Sequence, residues 1–143
     1  MKIAAIIVSR KGSKRILKKS KKKILNKTLI ERKIIQLKKI TYLDKIYLGT
    51  NDITLKKISN KHQINFVKRE EKFCDEKKTT TNQMIKNMLS YVDADIIVWA
   101  HATNPFIDQN LYNDAIKIFI KGINKYDSLF SATALKNHFW NQN

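Results

Sequence analysis

The chain has 143 residues, of which 43% are hydrophobic, and this size and composition suit a single domain over residues 1–143. No apolar run approaches the roughly 20 residues that a membrane span needs. Cys74 is the only cysteine, which excludes an intrachain disulfide and a cysteine-based metal cluster. These features predict a cytoplasmic protein with no membrane partner.

The formal net charge of +17 is concentrated at the start of the chain. Residues 1–40 contain twelve Lys and three Arg against one acidic residue, Glu31, and this leaves a charge of only +3 for the remainder. Clustered cations favour binding to nucleic acids, so a basic nucleic-acid-binding protein is one alternative. A coding sequence rich in A and T would also produce an excess of Lys, Ile and Asn without any such partner.

The first predicted element is a strand at residues 3–8, a continuous apolar run of the kind that is buried on both faces of a sheet. A polar, basic stretch over residues 9–23 follows it. Thr28 and Glu31 match a capping box, and apolar residues then recur at helical spacing. We therefore predict a helix that starts near Leu29.

Two further strands are predicted at residues 46–48 and 64–67, with a helix between them. Asn51 or Asp52 can cap this helix, which runs to about Lys61. Asp52 could instead lie next to a metal ion. The third strand is followed by a charged segment, residues 68–78, which we predict to be a loop.

The second half of the chain repeats the alternation of helix and strand. Any of three consecutive threonines, residues 79–81, can cap a helix, and residues 96–100 form another buried strand. Pro105 interrupts the chain, and Asp108 can cap the last helix. Residues 128–135 are predicted to be the final strand.

This order of elements predicts an α/β fold with a Rossmann-like, doubly wound and mainly parallel sheet. We expect five strands, with the strand at residues 3–8 near the centre because it is apolar on both faces. Ligands of such sheets bind at the carboxyl ends of the strands. That rule brings together four segments of the chain: residues 9–23, 49–52, 69–81 and 101–107.

The basic stretch after the first strand has the chemistry of a phosphate-binding loop. Only three glycines occur in the chain, which excludes the Gly-rich dinucleotide fingerprint and the P-loop. Gly12 permits a turn with exposed backbone N–H groups, and Ser13 adds a hydroxyl donor. Arg10, Lys14 and Lys19 supply fixed positive charge for a triphosphate. The alternative is a basic loop that is simply solvated.

Residues 9–20 read S-R-K-G-S-K-R-I-L-K-K-S, which resembles the motif A-R-x-G-S-K-R-x-x-x-K-N of sugar-activating cytidylyltransferases. The resemblance is to the acylneuraminate cytidylyltransferase, or CMP-N-acetylneuraminate synthetase, type, which is related to CMP-Kdo synthetase. Ser9 stands where the family has Ala. Ser20 replaces an Asn that contacts the nucleotide in the family.

The resemblance continues in the same order along essentially the whole chain. Residues 25–30 are similar to the family's L-x-G-K-P-L-I, and residues 47–52 to its V-V-S-T-D-D. Residues 69–73 resemble R-P-x-E-L. Residues 99–106, W-A-H-A-T-N-P-F, match L-L-Q-P-T-S-P-L, and residues 127–133, D-S-L-F-S-A-T, match D-S-V-V-S-V-T.

The resemblance implies a nucleotidyltransferase of the nucleotide-diphospho-sugar transferase-like fold. The anomeric hydroxyl of a sialic-acid-like keto-acid sugar would attack the α-phosphorus of CTP, and pyrophosphate would leave. Positioning and charge neutralisation contribute most to such chemistry. By carry-over, the catalytic phosphate-holding residues are Arg10, Lys14 and Lys19. The wider nucleotide site comprises these three residues with Ser9, Gly12, Ser13, Arg69 and Thr80, and the sugar site comprises His101, Thr103 and Asn104.

The resemblance also implies that this chain ends before the enzyme is complete. Family members continue past the equivalent of residues 140–141 into a dimerisation element and a late pair of Asp residues that bind Mg²⁺. We therefore expect Mg²⁺ to accompany CTP, with its protein ligands outside these residues, and a homodimer to form in the full-length family. A non-catalytic truncated homologue is the second alternative.

Overall fold

A computed structural model describes residues 1–12, 19–132 and 134. Six strands and four α-helices are present in this part of the chain. They are β1 (Ile3–Val8), β2 (Lys23–Ile24), β3 (Lys27–Thr28), α1 (Leu29–Leu37), β4 (Lys45–Thr50), α2 (Lys56–His62), β5 (Asn65–Lys68), α3 (Thr81–Leu89), β6 (Ile96–Ala100) and α4 (Gln109–Gly122). Three short 3-10 helices cover Lys19–Lys21, Ile53–Leu55 and Glu71–Cys74.

The central sheet contains four parallel strands in the order β5-β4-β1-β6. β1 lies inside this sheet, paired with β4 on one side and with β6 on the other. Its residues from Ile3 to Ile7 are buried, as its apolar sequence requires. The predicted parallel, doubly wound architecture and the interior place of the first strand are confirmed.

Side chains of β1 alternate between two hydrophobic cores, one on each face of the sheet. Ile3, Ala5 and Ile7 join a core that includes α1 and Ile116 of α4. Ala4 and Ile6 join the opposite core, which contains Met88 of α3. Successive residues of a strand face opposite sides, so an unbroken apolar run is what a sheet covered by helices on both faces demands.

The predicted fifth strand is wrong for the described residues 128–132, which are irregular. They are also exposed, and Phe130 keeps 84% of its surface accessible. The apolar residues that suggested a buried strand are therefore not buried. Neither burial nor pairing with a neighbouring strand stabilises an extended backbone at these described residues. Residues 133 and 135 lie outside the described part of the chain.

Helix starts largely follow the predicted capping residues. Thr80 and Gln83 form a reciprocal capping box at α3, and the Asp108 carboxylate accepts from two backbone amides at the start of α4. Thr28 caps α1 by accepting from the Glu31 amide at 3.2 Å. The Glu31 side chain does not return to Thr28. It contacts Lys61 at 2.7 Å instead, so only half of the predicted capping box forms.

The basic stretch contains more regular structure than the sequence predicts. It ends in a small antiparallel hairpin formed by β2 and β3, which is followed directly by α1. Leu25, in the turn of this hairpin, has a φ of 55°. Among the described residues, none of the helices is both long and apolar enough to cross a bilayer.

Candidate functional site

A cleft of about 720 Å³ opens at the carboxyl ends of β1 and β6 and at the start of α3. The ends of parallel strands and the N-terminus of a helix meet here, which is where this class of sheet binds ligands. Seven of the predicted site residues line the cleft. They are Ser9, Arg10, Lys19, Arg69, Thr80, His101 and Thr103.

Arg10 is the best-defined cation of the cleft. Its Nη2 atom lies 2.7 Å from Glu76 Oε1, and its Nη1 atom donates to the Cys74 carbonyl oxygen at 3.4 Å. The Arg10 side chain is 28% exposed, whereas that of Glu76 is 70% exposed. The guanidinium is therefore held at the cleft wall by a carboxylate that water or a competing anion can reach.

Arg69 lies directly after β5 and is buried, with 5% of its surface exposed. Its backbone amide donates to the Thr50 carbonyl oxygen at 3.0 Å, which continues the β4–β5 pairing by one residue. Its Nη2 atom donates to the Phe73 carbonyl oxygen. Burial lowers the pKa of Arg69, Cys74 opposes that shift, and the nearby charge of Arg10 adds to it.

The Nε atom of Arg69 is buried and has no hydrogen-bond partner among the described residues. A buried donor without an acceptor is unfavourable by about 1–3 kcal/mol. The guanidinium is therefore positioned by its terminal nitrogen while one donor remains unused. An acceptor oxygen supplied by a ligand would relieve this deficit.

Gly49 of β4 allows Arg69 to pack under the cleft. A Cβ atom at this position would lie 2.4 Å from Met88 Sδ and 3.2 Å from Arg69 Cδ. No side chain larger than hydrogen fits without moving one of these neighbours. The resemblance aligned this glycine with a Ser, and the sequence alone does not reveal the close approach.

Thr80 is placed by its role as a helix cap. Its Oγ1 atom accepts from the Gln83 amide at 3.3 Å, while its own amide donates to Gln83 Oε1 at 2.9 Å. The neighbouring Thr79 hydroxyl donates to the Lys72 carbonyl oxygen at 2.6 Å. The threonines therefore fix the start of α3 next to the helix Glu71–Cys74, and residues 79–81 line the cleft.

His101 and Thr103 enter the cleft from the turn after β6. Asn104 belongs to the same turn, and its backbone amide donates to the His101 carbonyl oxygen at 3.2 Å. Asn104 is not among the residues that line the cleft. Two side chains of α1 hold the following backbone. Lys33 Nζ donates to the Ile107 carbonyl oxygen and Gln36 Nε2 to that of Pro105, each at 2.8 Å.

Lys33 is an unusual member of this arrangement because it is fully buried. Its ammonium lies 5.0 Å from the centre of the Tyr112 ring. Burial lowers the pKa of Lys33 to about 8, and the charge of Asp108 opposes the shift. A charge desolvated to this degree is kept only where its contacts are specific, and here they fix the loop that carries His101.

Gly12, Ser13 and Lys14 are three further residues of the predicted site. Gly12 adopts a φ of 82°, so it makes the left-handed turn expected of it, although it does not line the cleft. Ser13 and Lys14 lie outside the described residues. Conversely, Asp75 and Glu76 line the cleft, whereas the sequence predicted only a charged loop there. Loop acids have no periodic pattern that would assign them to a site.

The described residues do not by themselves provide a metal-binding set. No group of three or more His, Cys, Asp or Glu side chains lies close enough together within the described ranges. Of the two carboxylates lining the cleft, Glu76 pairs with Arg10, and Asp75 accepts from the Lys77 amide at 2.9 Å. Mg²⁺ requires several oxygen ligands, which these two engaged carboxylates do not supply.

Comparison with solved structures finds the same fold in nucleotide-using enzymes. CMP:2-keto-3-deoxy-manno-octonic acid synthetase complexed with CTP has a TM-score of 0.68 and 16% identity, over 85% of this chain and 48% of its own. A cytidylyltransferase from Leptospira borgpetersenii also has a TM-score of 0.68, with 20% identity, over 85% of this chain and 50% of its own.

A third structure, 4-diphosphocytidyl-2C-methyl-D-erythritol synthase from Anaerococcus prevotii, has a TM-score of 0.64 and 19% identity, over 84% of this chain and 52% of its own. The chain thus spans about half the length of these structures. None of the curated proteins matches the sequence. The family model described as Cytidylyltransferase matches residues 4–143, and the chain therefore belongs to the cytidylyltransferase family.

Proposed function

We propose that the cleft binds CTP and that the complete enzyme transfers its cytidylyl group to an acidic, sialic-acid-like sugar. The observation that carries this proposal is the convergence of Ser9, Arg10, Lys19, Arg69 and Thr80 on one cleft in a chain whose family match covers residues 4–143. These residues come from two separate segments of the sequence, residues 9–19 and 69–80. Their charge and hydrogen-bond donors suit a nucleoside triphosphate.

In the proposed reaction, an oxygen of the sugar forms a bond to the α-phosphorus of CTP. The bond from that phosphorus to the bridging oxygen breaks, pyrophosphate leaves with the electron pair, and the hydroxyl proton passes to solvent or a base. Arg10 and Lys19 would neutralise the phosphate charge that increases on the leaving group. We assign Lys14 and Ser13 the same phosphate-binding role, on the resemblance of residues 9–20.

Mg²⁺ is proposed to enter with the nucleotide and to be held mainly by phosphate oxygens. Supporting this, the cleft carboxylates of Asp75 and Glu76 already have partners within the protein. The chain's own part is then to bind and orient the triphosphate.

The acceptor proposed here is a keto-acid sugar, and His101 and Thr103 would face it. Both residues lie at the cleft end formed by the turn after β6, while Arg10 and Lys19 come from the basic stretch after β1. Asn104 is retained as a member of this sugar site only through the family resemblance. The neighbour that makes a CMP-sugar acid and the motif at residues 9–20 both favour this acceptor class.

Homodimer formation and a cytoplasmic location are further parts of the proposal. Several apolar side chains on α4 and in the segment after it are exposed, and a partner surface would cover them. They are Leu111, Ile118, Tyr126, Leu129 and Phe130.

The test is isothermal titration of the purified chain with CTP, ATP and GTP in the presence of Mg²⁺. We expect CTP to bind at least about tenfold more tightly than either purine nucleotide, a difference of roughly 1.4 kcal/mol that base-specific hydrogen bonds supply. Equal affinity for all three nucleotides would contradict a cytidylyl-specific site. Binding to DNA that weakens steeply with salt, without any nucleotide preference, would favour the nucleic-acid-binding alternative.

A further inference from the structure

One turn of the chain contacts the basic stretch at two points that are ten residues apart. This turn comprises Asn51 and Asp52, directly after β4. The Asn51 Oδ1 atom accepts from the Lys11 backbone amide at 2.8 Å. The Asp52 Oδ2 atom lies 2.6 Å from Lys21 Nζ. Lys11 and Lys21 lie on opposite sides, in sequence, of residues 13–18.

Asp52 is held firmly enough to act as an anchor. Only 7% of its surface is exposed. Its Oδ1 atom accepts from the Thr54 amide at 3.1 Å and from the Thr54 hydroxyl at 2.6 Å, which caps the short helix Ile53–Leu55. The other carboxylate oxygen is left for Lys21, whose Nζ also donates to Thr54 Oγ1 at 2.7 Å.

Ionisation of Asp52 depends on this pairing. Burial raises the pKa of the Asp52 carboxyl. Lys21 and the two Thr54 donors lower it by more than burial raises it, so the net shift is downward. The carboxylate is therefore charged at neutral pH. Without the Lys21 ammonium, the buried charge would keep only the two Thr54 donors and no cationic partner among the described residues.

Asn51 is anchored on its other side. Its Nδ2 atom donates to Glu71 Oε2 at 2.8 Å, so both ends of the amide have partners. The partner, Glu71, begins the helix Glu71–Cys74, and Arg10 donates to the carbonyl oxygen of Cys74. Asn51 thus connects Lys11, next to Arg10, to the helix Glu71–Cys74, whose residues Phe73 and Cys74 line the cleft.

We infer that Asn51 and Asp52 are positioning residues that hold Arg10 and Lys19 at the cleft by fixing their neighbours Lys11 and Lys21. This inference rests on the proposed function, because it explains how the residues assigned to the triphosphate are placed. No local pattern in the sequence distinguishes Lys21 from Lys22 or Lys23. In the structure, Lys21 alone of these three has a buried acidic partner among the described residues.

The first test compares Lys21→Met with Lys22→Met. Both variants remove one positive charge from adjacent positions, so a diffuse electrostatic effect on CTP would be nearly the same in each. Lys21→Met is expected to weaken CTP binding about tenfold, measured by calorimetry with Mg²⁺, whereas Lys22→Met stays within about twofold of the parent. Lys21→Arg should restore most of the affinity. Equal losses in the two Met variants would overturn the inference.

The second test needs no nucleotide. In Asn51→Ala, exchange of the Lys11 amide hydrogen with solvent, followed by NMR, is expected to become about fivefold faster because its acceptor is gone. In Asp52→Asn, which keeps the acceptor for Thr54 but loses the charge, exchange of the Lys22 amide should also accelerate. This amide donates to Lys19 at 3.1 Å within the short helix Lys19–Lys21.

Asp93→Asn is the matched control, since Asp93 forms an equally short 2.6 Å pair with Lys2 in an exposed position. Asp93→Asn should change the hydrogen-exchange rate of neither the Lys11 amide nor the Lys22 amide. Unchanged exchange in both anchor variants would contradict the inference whether or not CTP binds. Faster exchange in a protein that binds no CTP would instead uphold the anchor and contradict the proposed function.

Discussion

Arg10 would interact with two anions if the cleft binds a triphosphate as proposed: the Glu76 carboxylate and the nucleotide phosphates. In the structure its guanidinium is paired with Glu76 at 2.7 Å, and both residues line the cleft. A phosphate can engage Arg10 only by displacing that carboxylate or by binding beside it. The pair therefore holds the guanidinium in place but also opposes the binding of negative charge.

We predict that Glu76→Gln strengthens CTP binding about threefold to tenfold, because it removes the competing charge while keeping a side chain of similar shape. Titration calorimetry with Mg²⁺ measures this effect. Glu70→Gln is the control, since Glu70 has the same charge and pairs with the exposed Lys72 at 3.3 Å outside the cleft lining. Weaker binding in Glu76→Gln would show that the carboxylate assists the nucleotide, and the competition would be disproved.

A second prediction at the residue scale concerns the effect of Lys33 on the stability of the protein. Its pKa is lowered from 10.5 to about 8 by burial. Below the pKa of Lys33 in the folded protein, the side chain is protonated in both the folded and the unfolded chain. The folded protein is then destabilised by the full cost of burying the ammonium. Between the two values the unfolded chain binds more protons than the folded one, so the free energy of unfolding rises with pH and levels off above the unfolded value.

The measurement is denaturant unfolding of the parent and of Lys33→Met across this range. Relative to Lys33→Met, the free energy of unfolding of the parent should rise by about 2 kcal/mol between roughly pH 7.5 and 9.5. Taking the difference removes the contributions of groups that titrate alike in the two proteins. Lys39→Met, at an exposed position, should show no such trend. A pH-independent difference for Lys33→Met would refute the lowered pKa.

At the residue scale, the sequence predicts contacts within a few positions far better than contacts across the chain. Asp108 was predicted to cap the last helix and any of the threonines at 79–81 to cap α3, because a cap and its helix are adjacent in sequence. The pairs Arg10–Glu76 and Lys21–Asp52 join segments 66 and 31 residues apart. No local pattern distinguishes Lys21 from Lys22, so the role of Lys21 depends on the folded structure.

At the scale of elements, β4 packs closely against α3 beside the cleft residue Arg69. Gly49 of β4 faces Met88 of α3, which is fully buried, and Arg69 passes alongside. Met88 is flexible in principle, but a side chain surrounded by core atoms has little room to move. The approach of the two elements thus depends on the missing Cβ of one residue.

Gly49→Ala is expected to reduce the free energy of unfolding by about 1–3 kcal/mol, since the new methyl group overlaps Met88 Sδ. Urea denaturation followed by circular dichroism gives this value. Introduced into a Met88→Ala background, the same substitution should be much less destabilising, because the space it needs is then available. Equal losses in both backgrounds would show that the contact with Met88 is not the cause.

Element-level predictions succeeded where burial and sequence pattern agree. The strand at residues 3–8 is apolar at every position, and the structure buries it between two strands and two cores. Residues 128–132 carry Leu129 and Phe130, which suggested a strand, yet both are exposed and the backbone is irregular. Hydrophobic residues signal burial only if a neighbouring surface covers them, and the sequence does not reveal that surface.

At the scale of the whole molecule, the excess of positive charge is largely uncompensated. The chain has 29 Lys and Arg residues against 12 Asp and Glu. Within the described part, ion pairs involve only five of these basic side chains: Lys2, Arg10, Lys21, Lys61 and Lys72. Self-repulsion among the remaining cations opposes the compact state, since folding brings like charges together.

Salt should therefore stabilise this protein. Raising NaCl from about 20 mM to about 200 mM shortens the Debye length from roughly 20 Å to roughly 7 Å, which screens distant cations more than it weakens close pairs. We expect the thermal midpoint, measured by circular dichroism without nucleotide, to rise by about 3 °C, as a gain near 1 kcal/mol implies for a chain of this size.

Electrostatic screening by salt can be distinguished from specific anion binding by comparing different salts at equal ionic strength. Sodium chloride and sodium acetate at equal ionic strength should raise the midpoint equally, because screening depends on ionic strength rather than on the identity of the anion. Pyrophosphate at the same ionic strength should raise it further, since it can also bind Arg10 and Lys19 in the cleft and so favour the folded state. A midpoint that falls with sodium chloride would mean that the few ion pairs, including Arg10–Glu76 and Lys21–Asp52, outweigh the repulsion.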